Sequence, residues 1–158
     1  MTDAPVLVTR DGPVARVTLN RPQLHNAFDE ALIAGLAATF QAFYEDDSRV
    51  VILAGAGKSF SAGADLNWMQ RAAGYDEERN RADARALELM LRLIDDCPKP
   101  VVAMVQGAAI GGGVGLVAAC DIAVAGEAAQ FATSEVRLGI VPAVIAPFVV
   151  RAIGPREA

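Results

Sequence analysis

Two segments of this sequence contain residue types that could bind an anion through backbone amides alone. They are residues 61–65 (SAGAD) and residues 111–113 (GGG). Small residues let a backbone approach a ligand closely. Each segment follows a predicted strand and leads into a predicted helix, so its amides lack intrahelical acceptors and carry partial positive charge. Two such donors that converge on one point form an oxyanion hole. The alternative is that both segments are simply tight turns.

Two further glycine motifs are typical of nucleotide binding, but both match incompletely. Residues 55–59 end in Gly-Lys-Ser, as a phosphate-binding loop does, yet that motif needs a glycine where Ile52 stands, so we expect Lys58 to be a solvated loop residue. Residues 113–118 fit the GxGxxA fingerprint of dinucleotide-binding proteins, with Glu135 downstream. The helix that would follow is barely two turns long, which leaves dinucleotide binding as a weaker alternative.

Composition excludes several other classes of function. The chain has 158 residues, 53% of them apolar, and a net charge of −5 with 14 basic residues that do not cluster. This size favours one domain over residues 1–158, and the absence of a basic patch argues against nucleic-acid binding. His25 is the only histidine, which removes a histidine triad or a multi-histidine metal site. Cys97 and Cys120 lack zinc-ligand spacing, so we expect reduced, structural thiols, and neither a metal nor a separate cofactor is predicted.

The cellular location follows from two observations. No basic region followed by an apolar one opens the sequence, so we expect no secretory signal and a cytoplasmic protein. Residues 101–120 carry Gln106 as their only polar side chain and match the length of a membrane span. Five glycines in that run favour a strand, a glycine turn and a short buried helix instead, and no membrane association is expected.

The elements that position these segments alternate between strand and helix, which predicts the α/β class. Predicted strands cover residues 6–9, 14–19, 50–53, 101–105, 121–125 and 130–132, the first two joined as a hairpin at Asp11-Gly12-Pro13. One predicted helix begins near Asp29, and a second covers residues 76–95. A third runs from the glycine turn to about residue 119, and a fourth covers residues 144–153 with a kink near Pro147. The buried stripe of the first helix is predicted as Ile33, Leu36, Ala37, Phe40, Phe43 and Tyr44.

Four motifs in this order resemble the enoyl-CoA hydratase/isomerase (crotonase) family. They are NRPQLHNA (20–27), SFSAGADL (59–66), PKPVVAMVQGAAIGGGVGL (98–116) and CDIAVAGEAAQFATSEVRLGIVP (120–142). The resemblance covers essentially the whole chain. It implies the crotonase-like ββα superhelix, an acyl-CoA thioester as the substrate, with coenzyme A as part of that substrate, and assembly into trimers or hexamers.

The resemblance also implies roles for individual residues. Ala64 and Gly112 would donate the two oxyanion-hole amides. Ala27, Ala62, Asp65 and Leu66 would line the thioester and the pantetheine arm, largely through their backbone. These donors are backbone groups, which explains how such small residues could carry chemistry.

Family hydratases typically carry two catalytic carboxylates, and this sequence keeps one of the two positions. Gly115 stands where the first glutamate would be, while Glu135 matches the second and Glu127 is a weaker candidate. A single glutamate would have to activate water and return a proton, which is hydration, or move one proton between two carbons, which is double-bond isomerisation. The alternative for Glu135 is a surface carboxylate paired with Arg137.

Two details favour hydration and a particular substrate class. SAGADLNWM and SEVRLGIVPAVIAPFVV resemble members that act on branched, carboxylated enoyl-CoA thioesters such as 3-methylglutaconyl-CoA, from leucine or acyclic-terpene breakdown. Family members continue past residue 158 with a helical region that covers the acyl-CoA pocket, so we expect this chain to be the N-terminal core without it. A scaffold that binds acyl-CoA or other subunits without turnover is therefore a second hypothesis.

Overall fold

The computed structural model describes residues 4–158, which form a five-stranded sheet, a separate two-stranded sheet and five α-helices. The strands are β1 (Val6–Asp11), β2 (Val14–Leu19), β3 (Val50–Gly55), β4 (Val101–Val105), β5 (Ala108–Ile110), β6 (Ile122–Ala125) and β7 (Gln130–Ala132). The helices are α1 (Glu30–Ala42), α2 (Leu66–Ala72), α3 (Glu77–Asp95), α4 (Gly112–Ala118) and α5 (Ala146–Ile153). Single turns of 3₁₀ helix cover Pro22–Leu24 and Glu135–Leu138. The predicted α/β class is confirmed.

The larger sheet has the order β1-β2-β3-β4-β6. Strands β1 and β2 pair antiparallel through the predicted hairpin, where Gly12 has a positive φ of 53°, and the remaining pairs are parallel. Val17, Leu53 and Ala103 lie side by side in adjacent strands, and all three are fully buried. Parallel strands place their carboxyl ends at one edge of the sheet, where ligand-binding loops gather in α/β proteins.

Helices α1 and α3 pack on each other, and α4 packs on α5. The Asp29 side chain accepts a hydrogen bond from the Leu32 amide at 2.9 Å and so caps α1, as the sequence indicated. The predicted stripe of α1 is mostly confirmed, with Leu32 as an additional buried residue. Tyr44 is the exception. It lies beyond the helix end, is 42% exposed, and its hydroxyl donates to the Asp96 carbonyl instead.

Several short elements differ from the sequence prediction. Strand β5 and the turn Glu135–Leu138 were not anticipated, because each is too short for a periodic pattern. Helix α5 begins at Ala146, and Pro147 lies in its first turn, so the predicted kink is wrong. Proline is tolerated there because the amide it lacks would have no intrahelical acceptor.

The apolar run 101–120 forms β4, β5 and α4, as the glycine content indicated. Within residues 4–158, no helix combines the length and the apolar character that crossing a bilayer requires.

Candidate functional site

The two glycine-bearing segments lie against each other beyond the carboxyl ends of β3 and β4. The Ser61 amide donates to the Ala108 carbonyl at 3.0 Å, and the Ile110 amide donates to the Ser61 carbonyl at 2.9 Å. A Cβ added to Gly63 would lie 2.7 Å from the Ile110 carbonyl oxygen and 3.5 Å from the Gly112 nitrogen. This contact leaves no room for a side chain at residue 63, and it brings together the segments that the sequence could only propose to converge.

The Ala64 amide is held between two hydrogen bonds to Phe28. The Phe28 amide donates to the Gly63 carbonyl at 2.6 Å, and the Asp65 amide donates to the Phe28 carbonyl at 2.8 Å. The Ala64 amide between them has no acceptor among the described residues. Gly112 is the first residue of α4, so its amide has no intrahelical acceptor either. Both residues line one open cleft of about 280 Å³.

The Phe28 ring explains why residue 112 is a glycine. A Cβ added to Gly112 would lie 2.6 Å from Cε2 and 2.9 Å from Cδ2 of that ring, which is itself 1% exposed. The aromatic ring therefore holds the start of α4 by direct contact with its backbone. Phe28 could not be assigned a role from the sequence, since a phenylalanine beside a loop is usually part of the core.

Glu135 enters the same cleft from the turn after β7. A Cβ added to Gly111 would lie 2.9 Å from Glu135 Oε1, and Gly111 has a positive φ of 52° that a side chain rarely adopts. The Gly111 amide donates to the Ala132 carbonyl at 2.8 Å, which ties the glycine turn to the strand that precedes Glu135. The carboxylate thus lies directly beside the start of α4.

The second carboxylate oxygen of Glu135 lacks a partner. Oε2 is shielded from solvent and has no hydrogen-bond partner among the described residues. No ion pair joins Glu135 to Arg137 in this part of the chain, so the surface-pair alternative is wrong. Glu127 does not line the cleft. A buried carboxylate oxygen without a donor is costly for stability, and it is the arrangement expected of a group that meets a ligand.

Gly115 packs against Ile145, the residue that immediately precedes α5. A Cβ at this position would lie 2.4 Å from Ile145 Cγ2 and 3.0 Å from Ile145 Cβ. Ile145 is 3% exposed and also lines the cleft. The space that a glutamate at residue 115 would need is therefore filled by an isoleucine.

The remaining predicted binding residues divide into two groups. Ala62 and Leu66 line the cleft with Ala64 and Gly112. Ala27 and Asp65 lie behind the cleft wall, where the Ala27 amide donates to the Leu24 carbonyl at 3.0 Å.

The Asp65 side chain stabilises the wall of the cleft. It caps α2 by accepting hydrogen bonds from the amides of Asn67 at 2.8 Å and Trp68 at 3.3 Å, and it forms an ion pair with Arg21 at 3.1 Å. Burial alone would raise the pKa of Asp65, but these amides and the guanidinium outweigh it and hold the pKa below its usual value. Arg21 also pairs with Asp29 at 2.9 Å, which links the caps of α1 and α2.

Asn26 is a second structural residue that the sequence analysis missed. It is fully buried with a positive φ of 55°, and its Nδ2 lies 2.9 Å from the carbonyls of Ala56 and Ser59 and 3.1 Å from that of Phe60. Its Oδ1 accepts from the Arg21 amide at 2.9 Å. This side chain ties the loop of residues 20–27 to the segment that leads to Ala64.

The rest of the cleft is mostly apolar. It is lined by Trp68 and Met69 of α2, Leu87 of α3, and residues between α5 and the turn Glu135–Leu138, with no lysine or arginine in the described lining. No group of three or more histidine, cysteine, aspartate or glutamate side chains lies close enough to hold a metal ion within residues 4–158. The cleft therefore offers two amide donors, one carboxylate and an apolar wall.

An α/β fold with two acceptor-free amides lining one cleft is the arrangement by which a protein can bind an anion or a developing oxyanion through its backbone. Comparison with known proteins agrees with this description. The family model for enoyl-CoA hydratase/isomerase matches residues 9–158, and this chain belongs to that family, the crotonases.

Individual relatives show how far the likeness extends. An enoyl-CoA hydratase structure from Shewanella pealeana is 46% identical, with a TM-score of 0.95 over 98% of this chain and 58% of that one. An enoyl-CoA hydratase structure from Mycobacterium smegmatis is 37% identical, with a TM-score of 0.91 over 97% of this chain and 60% of that one. The enoyl-CoA hydratase ACTT6 of Alternaria alternata is 38% identical over 148 residues, which are 93% of this chain and 48% of that protein. The chain thus spans about half to three fifths of the length of these relatives.

The GxGxxA match has a different explanation from dinucleotide binding. A Cβ at Gly113 would lie 2.6 Å from the Ser61 carbonyl oxygen, and Gly115 faces Ile145 as described above. Both glycines are therefore required by close packing inside the protein. The dinucleotide alternative has no support from the fold or from the family.

Proposed function

We propose that this chain carries the catalytic site of an enoyl-CoA hydratase, which adds water across the double bond of a 2-enoyl-CoA thioester. The supporting observation is the meeting of three groups in one cleft: the Ala64 and Gly112 amides without acceptors, and the Glu135 carboxylate with an unpartnered oxygen. The same-family relatives named as hydratases support the same reaction.

The amides would bind the thioester oxygen as charge develops on it. When water adds to the β-carbon of the enoyl group, electrons move to the carbonyl oxygen and form an enolate. Two fixed donors stabilise that oxyanion, and the loss of one such donor costs about 3 kcal/mol in comparable sites. The stabilisation of the oxyanion depends on fixed donors, because Phe28 and the start of α4 hold both amides in place before substrate binds.

Glu135 would carry out both proton transfers. Its carboxylate would accept a proton from the attacking water, and the resulting acid would return a proton to the α-carbon as the enolate collapses. The net reaction adds one water molecule and needs no oxidant, metal or further cofactor. Glu135 is the only acidic residue in the described lining of the cleft, so one residue would do both steps.

The substrate and the assembly are further parts of the proposal. The resemblance of residues 61–69 and 134–150 to members that act on branched, carboxylated thioesters favours 3-methylglutaconyl-CoA or a related compound. A homotrimer or hexamer in the cytoplasm, and the role of residues 1–158 as the core of a larger crotonase unit, stay predictions.

The test is a spectrophotometric assay of the conjugated enoyl thioester with crotonyl-CoA, 3-methylglutaconyl-CoA and a 3-enoyl-CoA. Loss of absorbance that disappears in Glu135→Gln supports hydration, and the preferred thioester identifies the substrate class. Glu127→Gln is the matched control, because Glu127 lies outside the cleft lining.

Three other outcomes would overturn the proposal. Gain of absorbance from the 3-enoyl-CoA would identify a double-bond isomerase that uses the same glutamate. Binding of acyl-CoA in a titration without turnover of any thioester would support the scaffold hypothesis. NAD(H) binding without CoA binding would remove the acyl-CoA assignment altogether.

A further inference from the structure

A second cavity, open to solvent on one side, lies next to the cleft among α1, α2 and α3. Its volume is about 340 Å³, and its lining includes Ile33, Ala34 and Ala37 from α1 and Ala86 and Leu89 from α3. These side chains are apolar, so the cavity resembles the cleft in its chemistry.

The Trp68 side chain separates the two spaces. Within the described part of the chain, it is the one residue that lines both the cleft and the second cavity. Trp68 belongs to the short helix α2, and its backbone amide is fixed by the Asp65 cap. The ring packs against the core beside Leu87.

Hydrogen bonding does not account for the position of this ring. The indole Nε1 is shielded from solvent and has no acceptor among the described residues. A buried tryptophan N–H usually finds a partner, so shape rather than polarity determines where the ring lies. Asp83 Oδ2, in the lining of the second cavity, is also shielded and without a donor.

We propose that Trp68 sets the acyl-chain length that the cleft accepts, and that the cavity behind it would take the end of a longer chain once the ring is made smaller. This inference rests on the proposed function, since it assigns the cleft to an acyl-CoA. The thioester would lie at the Ala64 and Gly112 amides, and the acyl chain would extend along the apolar wall to the indole.

The second cavity would also select by charge. Asp83 lines it with a shielded oxygen that has no donor among the described residues, whereas Glu30, also in the lining, is paired with Arg71 at 2.9 Å. An alkyl end would cover the apolar side chains there, whereas a terminal carboxylate would lie near the like charge of Asp83. The enlarged site should therefore favour long monocarboxylic acyl groups over dicarboxylic ones.

Calorimetric titration of the 158-residue chain with butanoyl-CoA, dodecanoyl-CoA and dodecanedioyl-CoA tests this directly. Binding is measured rather than turnover, so the result does not depend on catalysis. Each buried methylene adds about fourfold to affinity. In Trp68→Leu we expect the affinity for dodecanoyl-CoA relative to butanoyl-CoA to rise by roughly tenfold or more, without the same gain for dodecanedioyl-CoA.

A second substitution tests whether the effect comes from removing the Trp68 ring as a partition between the two spaces or from a general loosening of α2. Ala86 lines only the second cavity, so Trp68→Leu combined with Ala86→Phe should refill it and return the chain-length ratio to the wild-type value. Trp68→Phe should give an intermediate ratio, and it serves in place of Trp68→Leu if circular dichroism shows that the latter does not fold.

The outcomes distinguish this inference from the function on which it rests. Binding of both monocarboxylic thioesters with an unchanged ratio in the Trp68 variants would overturn the partition alone. A raised ratio that Ala86→Phe does not reverse would also overturn it. Failure of the wild-type chain to bind any acyl-CoA would overturn the proposed function and this inference together.

Discussion

Gly115 lies so close to Ile145 that a Cβ on the glycine would fall 2.4 Å from the isoleucine Cγ2. The two residues are fitted to each other in size, between α4 and the start of α5. Glu135 is the only acidic residue in the described lining of the cleft.

Gly115→Glu should therefore destabilise the protein and should not restore a second catalytic carboxylate. Overpacking of this kind costs about 1–3 kcal/mol, which denaturant unfolding measures. Ile145→Ala in the same chain removes the clashing methyl group, so the double variant should recover part of the lost free energy of unfolding. A single variant as stable as wild type would contradict the fit.

Gly111→Ala should reduce turnover more than its effect on stability explains. The new methyl group would lie 2.9 Å from Glu135 Oε1 and displace the carboxylate, besides the strain of a positive φ. With φ 52° and ψ −118°, Gly111 lies outside the left-handed helical region, and the strain alone costs an alanine about 1–3 kcal/mol. Gly12→Ala is the matched control, because Gly12 has a φ of 53° with no atom within 4 Å of an added Cβ. A rate loss at Gly111 with none at Gly12 is expected, and equal rates in both variants would show that Glu135 is not held by this contact.

Asp65→Asn should make the protein less stable at neutral pH and less sensitive to acid. The pKa of Asp65 is lowered in the folded state, so its charge contributes stability above its unfolded-state pKa of about 3.9. That contribution is lost as the pH falls through the folded-state pKa. We expect a loss of about 1–3 kcal/mol at pH 7 and a shallower decline below pH 4, measured by urea unfolding across pH.

Asp76→Asn provides the comparison for Asp65. Asp76 also caps a helix, accepting from the Arg79 amide at 2.8 Å, but it has no ion-pair partner in the described part of the chain. An equal stability loss at both positions would mean that the ion pair with Arg21 adds nothing beyond the cap.

Asn26→Asp should be among the most damaging single-atom changes in this chain. The amide nitrogen that faces three carbonyl oxygens would become a carboxylate oxygen, in a residue with no exposed surface. Loss of these donors and burial of a charge without a partner predict a cost of about 3 kcal/mol or more. Thermal unfolding measures it. Asn67→Asp, at an exposed position on α2, is the control, and a similar cost at both residues would contradict this account.

Much of the architecture could be predicted because it depends on local pattern. The hairpin of β1 and β2, the buried strands β3 and β4, and the long helix α3 follow from the spacing of apolar residues and from turn residues such as Gly12. Strand β5, the turn at Glu135 and the start of α5 escaped prediction, since elements of three or four residues have no measurable period. Their bounds depend on partners that are distant in the sequence.

The candidate site was predictable only through its family likeness. An oxyanion hole made from backbone amides leaves no chemical side chain in the sequence, and Ala64 and Gly112 are unremarkable by type. Glu135 was visible as a carboxylate, but its neighbour Gly111 and its unpartnered oxygen were not. The four motifs in order supplied what the residue types alone did not.

By itself, the sequence determined which residues could form strands and helices and where turns required glycine. Only the tertiary structure decided that the Ala64 and Gly112 amides share a cleft, that Phe28 contacts both segments, and that Ile145 fills the space a side chain at residue 115 would need. The reason is physical. Helix and strand periodicity arise from neighbours along the chain, whereas the fit between segments distant in sequence arises from close packing, which is decided when the whole core assembles.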